Sequence, residues 1–447
     1  MGRQRGCDNL QPFGVGALPW PSTLVQMLAL DLVNTIAVAG VVLFAGYGLR
    51  RAIPVLARLN IPAPVVGGLL VAIAMTVAHR TGTQLVRFDT TLQTPLQNAF
   101  FTAIGFGASF QLLRLGGPLV LRFFLFATGV AVLQNVVGAA AAAALGQAPL
   151  LGVLAGSVTL TGGPATGLAF APLFEQAGVQ GAATVAVAAA MAGIVCGGLI
   201  GAPLATYLIE RGRLAPRPAS GPGSNRARLS DAPHARVDPA TRIVEAQVPE
   251  PPSGAPSGED PEAYVLLKHL VLMLVAMWIG GFVSRALAGV GLTFPSYIGA
   301  MVVAAVIRNV DDLSGVFGLS QQTLDDLGNV ALSLFLALAL MTLRLWELAG
   351  LAVPLTVILI VQVALVAVVA AFAVPRFMGR DYESVVMAGG FTGFMLGTSA
   401  NAMANMSALV ERYGPAPKAF LTVPLVGAFF IDFINAVIIT FCLNLWG

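Results

Sequence analysis

Two glycine-rich stretches interrupt the apolar pattern of this sequence and decide how it can fold. The first, Leu150–Phe174, contains the run Thr161-Gly162-Gly163-Pro164-Ala165-Thr166-Gly167, and the second, Val385–Leu409, contains Gly389-Gly390-Phe391-Thr392-Gly393. A continuous lipid-facing helix would not contain such runs, and non-helical backbone at membrane depth survives only where protein or a water-filled cavity covers it. We therefore predict that both stretches are re-entrant hairpins.

The composition around these stretches is that of an integral membrane protein. Of the 447 residues, 57% are hydrophobic and only 10% are charged, whereas a soluble protein carries about 25% charged residues. This composition excludes a soluble enzyme, a DNA-binding protein and a disordered regulator as descriptions of the whole chain. The formal net charge of +3 is also too small to indicate a nucleic-acid partner.

Each half of the chain contains five apolar runs that we predict to cross a hydrocarbon layer roughly 30 Å thick. Each hairpin lies between the fourth and fifth run of its half, which predicts an all-α fold of five transmembrane helices and one hairpin per half. The predicted spans are Leu28–Leu49, Ile61–Ala78, Leu96–Leu113, Leu119–Leu145 and Ala182–Ile209, then Tyr264–Leu287, Phe294–Ile307, Leu327–Leu343, Leu348–Val374 and Ala419–Trp446.

A linker at residues 210–262 separates the halves. It holds ten of the 28 prolines, and such a segment cannot bury enough apolar surface to offset its ordering entropy, so we predict a mobile tether. Arginines cluster beside it and after the first span, as at Arg50, Arg51 and Arg211. The positive-inside bias then makes the linker cytoplasmic and places the N-terminal segment 1–27 and the C-terminus outside.

The two halves, 28–209 and 263–447, resemble each other. The stretch Ile61–Gly68 is echoed by Phe294–Gly299, Gln134 by Gln362, and Gly162-Gly163 by Gly389-Gly390. An odd number of spans per half forces the second copy to lie upside down, so the halves are predicted to be inverted repeats.

Inverted repeats with broken segments at corresponding positions point to a secondary transporter whose site lies near the bilayer midplane. Neither half contains the GxxxxGK[ST] loop that would indicate ATP as the energy source. We therefore predict a transporter rather than an enzyme, with alternating access through an elevator-like movement of a hairpin-bearing core. An uncoupled channel and a structural or signalling membrane protein remain alternatives.

The hairpins supply the predicted binding residues. Their glycines allow close backbone approach, and their hydroxyl and amide groups suit a polar solute; the alternative is tight helix packing through small residues. The predicted substrate-binding residues are Ser157, Thr161, Gly162, Gly163, Thr166, Thr392, Gly393, Ser399, Asn401 and Asn405.

Asp432 is an acidic residue within an apolar run. A charge at membrane depth costs a few kcal/mol on insertion scales, so it needs a partner or a function. Sodium coordination by Asp432, Asn435 and Thr159 would use the oxygen ligands that a hard cation prefers. The alternatives are a hydrogen bond between helices and an acidic group lined by water.

The chain resembles the bacterial sodium/glutamate symporter family. The resemblance is strongest in Leu150–Leu160, Gly328–Ala337 and Gly427–Asp432. It implies sodium-driven uptake of glutamate through inverted five-span repeats with re-entrant hairpins, in a homodimer in the bacterial inner membrane. Sodium would be the coupled ion, and the partners would be an acidic solute and the lipid bilayer.

Four residues depart from the family pattern. Members typically carry a histidine after the paired glycines of each hairpin, and here those positions hold Pro164 and Phe391. Met395 stands where a glycine is usual and Ala400 where a proline is usual. These changes leave another organic anion or amino acid open as the substrate.

Overall fold

The computed structural model describes residues 28–81, 86–214, 261–289, 295–348 and 350–446, and these residues are almost entirely helical. A two-residue parallel pair of strands, Leu28–Ala29 beside Val86–Arg87, adds a small non-helical element. The predicted external segment 1–27 and most of the predicted linker 210–262 lie outside the described residues.

The helices of the first half begin after the short strand at Leu28–Ala29. They are α1 (Leu32–Ala52), α2 (Pro54–Arg58), α3 (Ala63–Arg80), α4 (Gln93–Gly107), α5 (Phe110–Leu115), α6 (Gly117–Ala144), α7 (Pro149–Val153), α8 (Gly163–Gln176) and α9 (Ala182–Gly212). A π-helical turn, Leu154–Val158, continues α7.

The helices of the second half begin at Pro261. They are α10 (Pro261–Gly289), α11 (Ser296–Ser314), α12 (Gln321–Met341), α13 (Ala352–Met378), α14 (Tyr382–Met395), α15 (Ser399–Tyr413), α16 (Pro417–Leu425) and α17 (Ile431–Trp446). A 3-10 turn, Leu345–Leu348, precedes α13, and a π-helical turn, Val426–Phe430, joins α16 to α17.

Seven of the described helices are long and apolar enough to cross a membrane: α1, α3, α6, α9, α10, α12 and α13. The prediction of a helical integral membrane protein is therefore confirmed. Each of these helices coincides with a predicted span to within a few residues at most ends, because the apolar runs are long and charged residues are confined largely to their ends.

The other three predicted spans take a different form. The run Leu96–Leu113 breaks after α4, where the side chain of Asn309 accepts a hydrogen bond from the Phe110 N–H (2.8 Å) and donates one to the Ala108 carbonyl (2.8 Å). Helix α11 ends in a charged turn that contains Asp311. The run Ala419–Trp446 is divided by the π-helical turn between α16 and α17.

The helices form two groups. We call α1, α3, α4, α10, α11 and α12 the six-helix bundle, because each packs against its neighbours in this set. We call α6–α9 and α13–α17 the broken-helix bundle, because these elements pack on one another and include both glycine-rich stretches. Contacts between the two bundles are much sparser than contacts within them.

The surface between the bundles is largely apolar. Val65 and Leu340 of the six-helix bundle belong to the same buried cluster as Ala165 and Leu168 of α8. A second cluster joins Phe101 and other side chains of α4 and α11 to residues of α8 and α17. Contacts of this kind are stabilised by the hydrophobic effect, which is non-directional, rather than by hydrogen bonds.

Pairs of glycines let helices of the six-helix bundle cross at close range. A Cβ atom at Gly46 would overlap the backbone of Ala63, and one at Gly67 would overlap the backbone of Val42, where α1 crosses α3. Helices α10 and α11 cross in the same way. A Cβ at Gly280 would overlap the backbone of Ala300.

This crossing is tested by replacing Gly280 with valine. The added side chain has no space, and overpacking of this kind typically costs about 1–3 kcal/mol, so we expect a clear loss of thermal stability in detergent. Gly281→Val is the matched control, since nothing lies within 4 Å of a Cβ at Gly281. Equal melting temperatures for the two variants would contradict the crossing.

Candidate binding site at two broken helices

The first glycine-rich stretch is a broken helix. Helix α7 continues into the π-helical turn, where Gly156 has non-helical dihedral angles (φ −101°, ψ −130°), and α8 begins only at Gly163. Gly163 has φ +70°, a left-handed conformation that glycine adopts without steric penalty. Nearly every residue from Leu150 to Ala171 is buried, so the break lies inside the protein.

The second stretch, Val385–Leu409, is also a broken helix. Gly389-Gly390-Phe391-Thr392-Gly393 lies within the continuous helix α14, and the break falls at Leu396-Gly397-Thr398. The glycines of α14 serve packing instead. A Cβ at Gly390 would crowd Met406, and one at Gly393 would crowd the backbone of Ala402.

The two breaks meet inside the broken-helix bundle. A Cβ atom at Gly163 would lie 3.5 Å from the carbonyl oxygen of Gly397. The hydroxyl of Thr161 lies 3.7 Å from the Sδ atom of Met395. The starts of α8 and α15 and the ends of the preceding segments therefore converge on one place, which we call the junction.

Gln134 of α6 holds the two sides of the junction together. Its Nε2 atom donates to the Met395 carbonyl (3.1 Å), and its Oε1 atom accepts from the Thr161 hydroxyl (2.7 Å). Gln362 of α13 in turn donates from Nε2 to the backbone carbonyl of Gln134 (2.6 Å). Gln134 therefore bridges the segments on the two sides of the junction.

Two asparagines hold the π-helical turn at Ser157. The Oδ1 atom of Asn135 accepts from the Ser157 N–H (3.0 Å). The Oδ1 atom of Asn435 accepts from the Ser157 hydroxyl (2.7 Å), and its Nδ2 atom donates to the Ser157 carbonyl (2.9 Å). The amide of Asn435 is therefore occupied in positioning this turn.

The side chains at the start of α15 bind neighbouring backbone. The Nδ2 atom of Asn401 donates to the Ile194 carbonyl (2.7 Å), and that of Asn405 donates to the Gly197 carbonyl (3.0 Å), both on α9. The Ser399 hydroxyl donates to the carbonyl of Gly427 (3.0 Å) in the π-helical turn before α17. These contacts fix α15 against α9 and α17.

Some of the predicted binding residues lie at the junction, and others lie within helical segments next to it. Thr161, Gly162, Gly163 and Ser399 lie at the helix breaks. Thr159 and Thr392 donate to carbonyls of their own helical segments, those of Leu154 and Ala388. The other predicted residue of α8, Thr166, is buried within its first turns, and a Cβ at Gly162 would touch it.

The four residues that depart from the family pattern also lie in different places. Pro164 falls in the first turn of α8, where a proline is tolerated because its missing N–H would have no helical partner. Met395 borders the junction, and Ala400 lies in the first turn of α15. Phe391 instead packs among Phe123, Phe126 and Phe394, on the α6 side of α14.

Asp432 lies near the start of α17 and is partly buried. Within the described part of the chain, no hydrogen bond or ion pair joins its carboxylate to another side chain or to backbone. The same part of the chain contains no group of three or more His, Cys, Asp or Glu residues that could hold a metal ion. Asp432 is therefore an isolated carboxylate.

A cavity of about 840 Å³ opens between the bundles at the end of α12 and the start of α9. Its walls include Leu168 of α8, Thr184 of α9 and the charged residues Glu175, Arg344 and Glu347. Arg344 and Glu347 face each other at 3.6 Å. The cavity thus reaches along α8 from the protein surface toward the junction.

The geometry of the junction suits an ionic solute. Two helices of 14 and 15 residues begin there, and the unpaired N–H groups and the dipole at a helix N-terminus favour an anion. The preceding segments end there, and free carbonyl groups at helix C-termini favour cations. One place therefore offers donors for carboxylates and oxygen atoms for a cation.

Comparison with known proteins gives one consistent result. The model of the sodium/glutamate symporter family matches residues 28–415. The chain is 39% identical over 420 residues to a sodium/glutamate symporter of Escherichia coli (strain K12), which covers 94% of this chain and 99% of that protein. It is 41% identical over 409 residues to one of Haemophilus influenzae, covering 91% and 95%.

The chain belongs to the sodium/glutamate symporter family. Within this family member, the polar groups that hold the junction come from residues far apart in the sequence, such as Gln134 and Met395. The repeated glutamines Gln134 and Gln362 were the sequence signal for them, since a polar residue recurring in the middle of two apolar spans needs a buried partner.

The role of Asn435 can be tested by comparing two asparagine substitutions on α17 of the intact protein. Asn435→Leu removes both hydrogen bonds to Ser157 and leaves buried polar groups unpaired, which costs about 1–3 kcal/mol per group. We expect a lower melting temperature in detergent. Asn444→Leu is the control, because the exposed Asn444 donates only to Thr440 of its own helix. If both variants melt alike, Asn435 does not hold the turn.

Proposed function

We propose that this member of the sodium/glutamate symporter family takes up glutamate by coupling it to the inward movement of sodium. The observation that carries the proposal is the junction, where two buried helix starts and two helix ends converge in a chain of this family. The carboxylates of the solute would bind at the N-termini of α8 and α15, near Thr161, Gly163 and Ser399.

We also propose that the two halves are inverted repeats and that the glycine-rich stretches are re-entrant hairpins. The packing supports this, because α3 contacts α12 as α11 contacts α4, and α1 crosses α3 as α10 crosses α11. Helices α4 and α12 pack on each other, as do α6 and α13. A two-fold relation between repeats 28–209 and 263–447 produces such a pattern.

Alternating access would come from movement of the broken-helix bundle against the six-helix bundle. Three features support this: the sparse contacts between the bundles, the apolar surface they share, and the hydrogen bonds that hold the junction within one bundle. A rigid group that slides on an apolar surface exposes its site first to one side and then to the other. The cavity beside α8 would be the outer entrance.

Sodium would bind near Asp432. Its carboxylate is isolated in the described part of the structure, and a carboxylate within an apolar run needs a partner or a function. Because Asn435 and Thr159 already bind Ser157 and Leu154, the side chain of Asp432 carries this part of the proposal. We further propose a homodimer in a bacterial inner membrane, as the family resemblance implies. The placement of the arginines supports a cytoplasmic 210–262 linker and external termini.

Uptake by purified protein in proteoliposomes tests the proposed function. An inward sodium gradient should drive accumulation of labelled glutamate, and unlabelled amino acids and dicarboxylic acids should compete according to their fit. Uptake that equilibrates without accumulation would instead support an uncoupled anion channel. Binding without any flux would support a structural or signalling role.

The charge moved per cycle gives a second test. One elementary charge crossing 100 mV is worth about 2.3 kcal/mol, and glutamate carries its net negative charge into a negative interior. We expect at least two sodium ions per glutamate, so that an inside-negative potassium diffusion potential accelerates uptake. The control is the same vesicles without a potential. Slower uptake under the inside-negative potential would contradict this coupling.

The junction itself is tested with two glycines of similar backbone conformation. Gly163→Ala and Gly315→Ala both place a side chain at positive φ, +70° and +64°, which costs about 1–2 kcal/mol for a non-glycine residue. Of the two, Gly163 lies at the junction, whereas Gly315 follows α11 and has nothing within 4 Å of an added Cβ. We expect glutamate uptake to fall about ten-fold or more in Gly163→Ala, equivalent to about 1.4 kcal/mol, and to change little in Gly315→Ala. Equal uptake by the two variants would place the site elsewhere.

A further inference from the structure

Residues 342–348, which we call the connector, lead from α12 of the six-helix bundle toward α13 of the broken-helix bundle. The 3-10 turn Leu345–Leu348 within the connector contacts both α3 and α9, one helix of each bundle. The connector therefore bridges the two bundles at a surface that is otherwise largely apolar.

On one side the connector is attached to the six-helix bundle. The Thr342 hydroxyl donates to the Ala339 carbonyl (3.0 Å), and the Leu343 N–H donates to the Leu340 carbonyl (3.2 Å), both within α12. The indole ring of Trp346 stacks on the imidazole of His79 in the last turn of α3, with ring centroids 4.1 Å apart. These contacts fix the connector to two helices of that bundle.

On the other side the connector holds the N-terminal end of α9. The buried Thr184 hydroxyl donates to the Arg344 carbonyl (3.2 Å), which also accepts the Glu347 N–H (3.1 Å) in the 3-10 turn. A Cβ atom at Gly181, the residue before α9, would lie 3.0 Å from the Cβ atom of Glu347 and 3.1 Å from its Oε2 atom. The Glu347 carboxylate thus lies at the start of α9, where the helix dipole favours a negative charge.

The corresponding connection in the first half, residues 108–115, is held differently. Its Leu112-Leu113-Arg114-Leu115 resembles Thr342–Leu345 of the connector. Asn309 of α11 binds the Phe110 N–H and the Ala108 carbonyl. Within the described residues, no hydrogen bond joins 108–115 to α8, α9 or α13–α17. The hold on the broken-helix bundle is therefore made by one of two similar segments.

We propose that the connector is a latch that holds α9 while the cavity is open and releases it when the broken-helix bundle moves. This inference rests on the proposed function, because it assigns a contact to the movement proposed there. The contacts of Arg344 and Glu347 with α9 are the ones released, and the stacking of Trp346 on His79 is kept. Thr184, Arg344 and Glu347 also line the cavity, so release of the latch and closure of the cavity involve the same groups.

The test compares two cysteine pairs in protein without its native cysteines. Gly181→Cys with Glu347→Cys joins α9 to the connector, and the 3.0 Å between the two Cβ positions is close enough for a disulfide after a small adjustment. His79→Cys with Trp346→Cys joins the connector to α3 and is the matched control, linked with a short, cleavable bifunctional thiol reagent.

Glutamate uptake in proteoliposomes under an inward sodium gradient is measured before linking, after linking and after cleavage of the link. We expect the link between α9 and the connector to lower uptake about ten-fold or more, reversibly, because the bundle cannot move while it is held. The control link should leave uptake within about two-fold of its starting value, since that contact persists during movement. Thr184→Cys with Arg344→Cys spans the same contact without altering Gly181, whose φ is +65°.

Thr184→Val tests the hydrogen bond of the latch, because valine keeps the shape of the side chain and removes the hydroxyl. We expect the disulfide between positions 181 and 347 to form about three- to five-fold more slowly, since loss of one hydrogen bond shortens the time that the pair spends together. Thr102→Val is the matched control. Thr102 is equally buried, and its hydroxyl donates to the Asn98 carbonyl within α4.

The outcomes separate the latch from the proposed function. Normal accumulation of glutamate with α9 linked to the connector would overturn the latch. Loss of uptake on linking positions 79 and 346 would overturn the attachment of the connector to the six-helix bundle. Equal rates of disulfide formation in Thr184→Val and Thr102→Val would overturn the role of Thr184. Failure of the unaltered protein to accumulate glutamate would instead reject the proposed function.

Discussion

The backbone groups at the ends of the two broken helices are the constraint on which the rest of the structure depends. A buried N–H or C=O group without a partner is costly, so a helix can stop inside a protein only where other groups replace its hydrogen bonds. Gln134 does this for the Met395 carbonyl, Asn135 for the Ser157 N–H and Asn435 for the Ser157 carbonyl. Side-chain amides suit this task because each carries a donor and an acceptor.

The same arrangement connects structure with transport. Because the amides satisfy particular backbone groups and tie both breaks to α6 and α17, the junction is rigid within its own bundle. The bundle's contact with the six-helix bundle is apolar and therefore undirected, as the cluster around Val65 and Leu168 illustrates. Rigidity inside the bundle and weak directionality at its outer surface are what a moving site requires.

The sequence predicted the parts of the fold that depend on local hydropathy. The span predicted at Leu348–Val374 overlaps α13, because a long run of apolar residues is buried in lipid or protein as one helix. Both breaks lie inside the glycine-rich stretches, at Thr161–Gly163 and at Leu396–Thr398. Their exact positions do not follow from the sequence, because Gly390 and Gly393 serve helix packing and a glycine in a sequence does not reveal which use it has. The pairings of Gln134 with Met395 and of Asn435 with Ser157 join distant residues and follow only from the tertiary fold.

A structure determined at saturating sodium and glutamate tests the central claim most directly, because that claim is where the solute binds. The account predicts density for the solute's carboxylates at the N-termini of α8 and α15, beside Gly163 and Ser399. Density confined to the cavity beside Arg344, with the junction closed and unchanged, would contradict it.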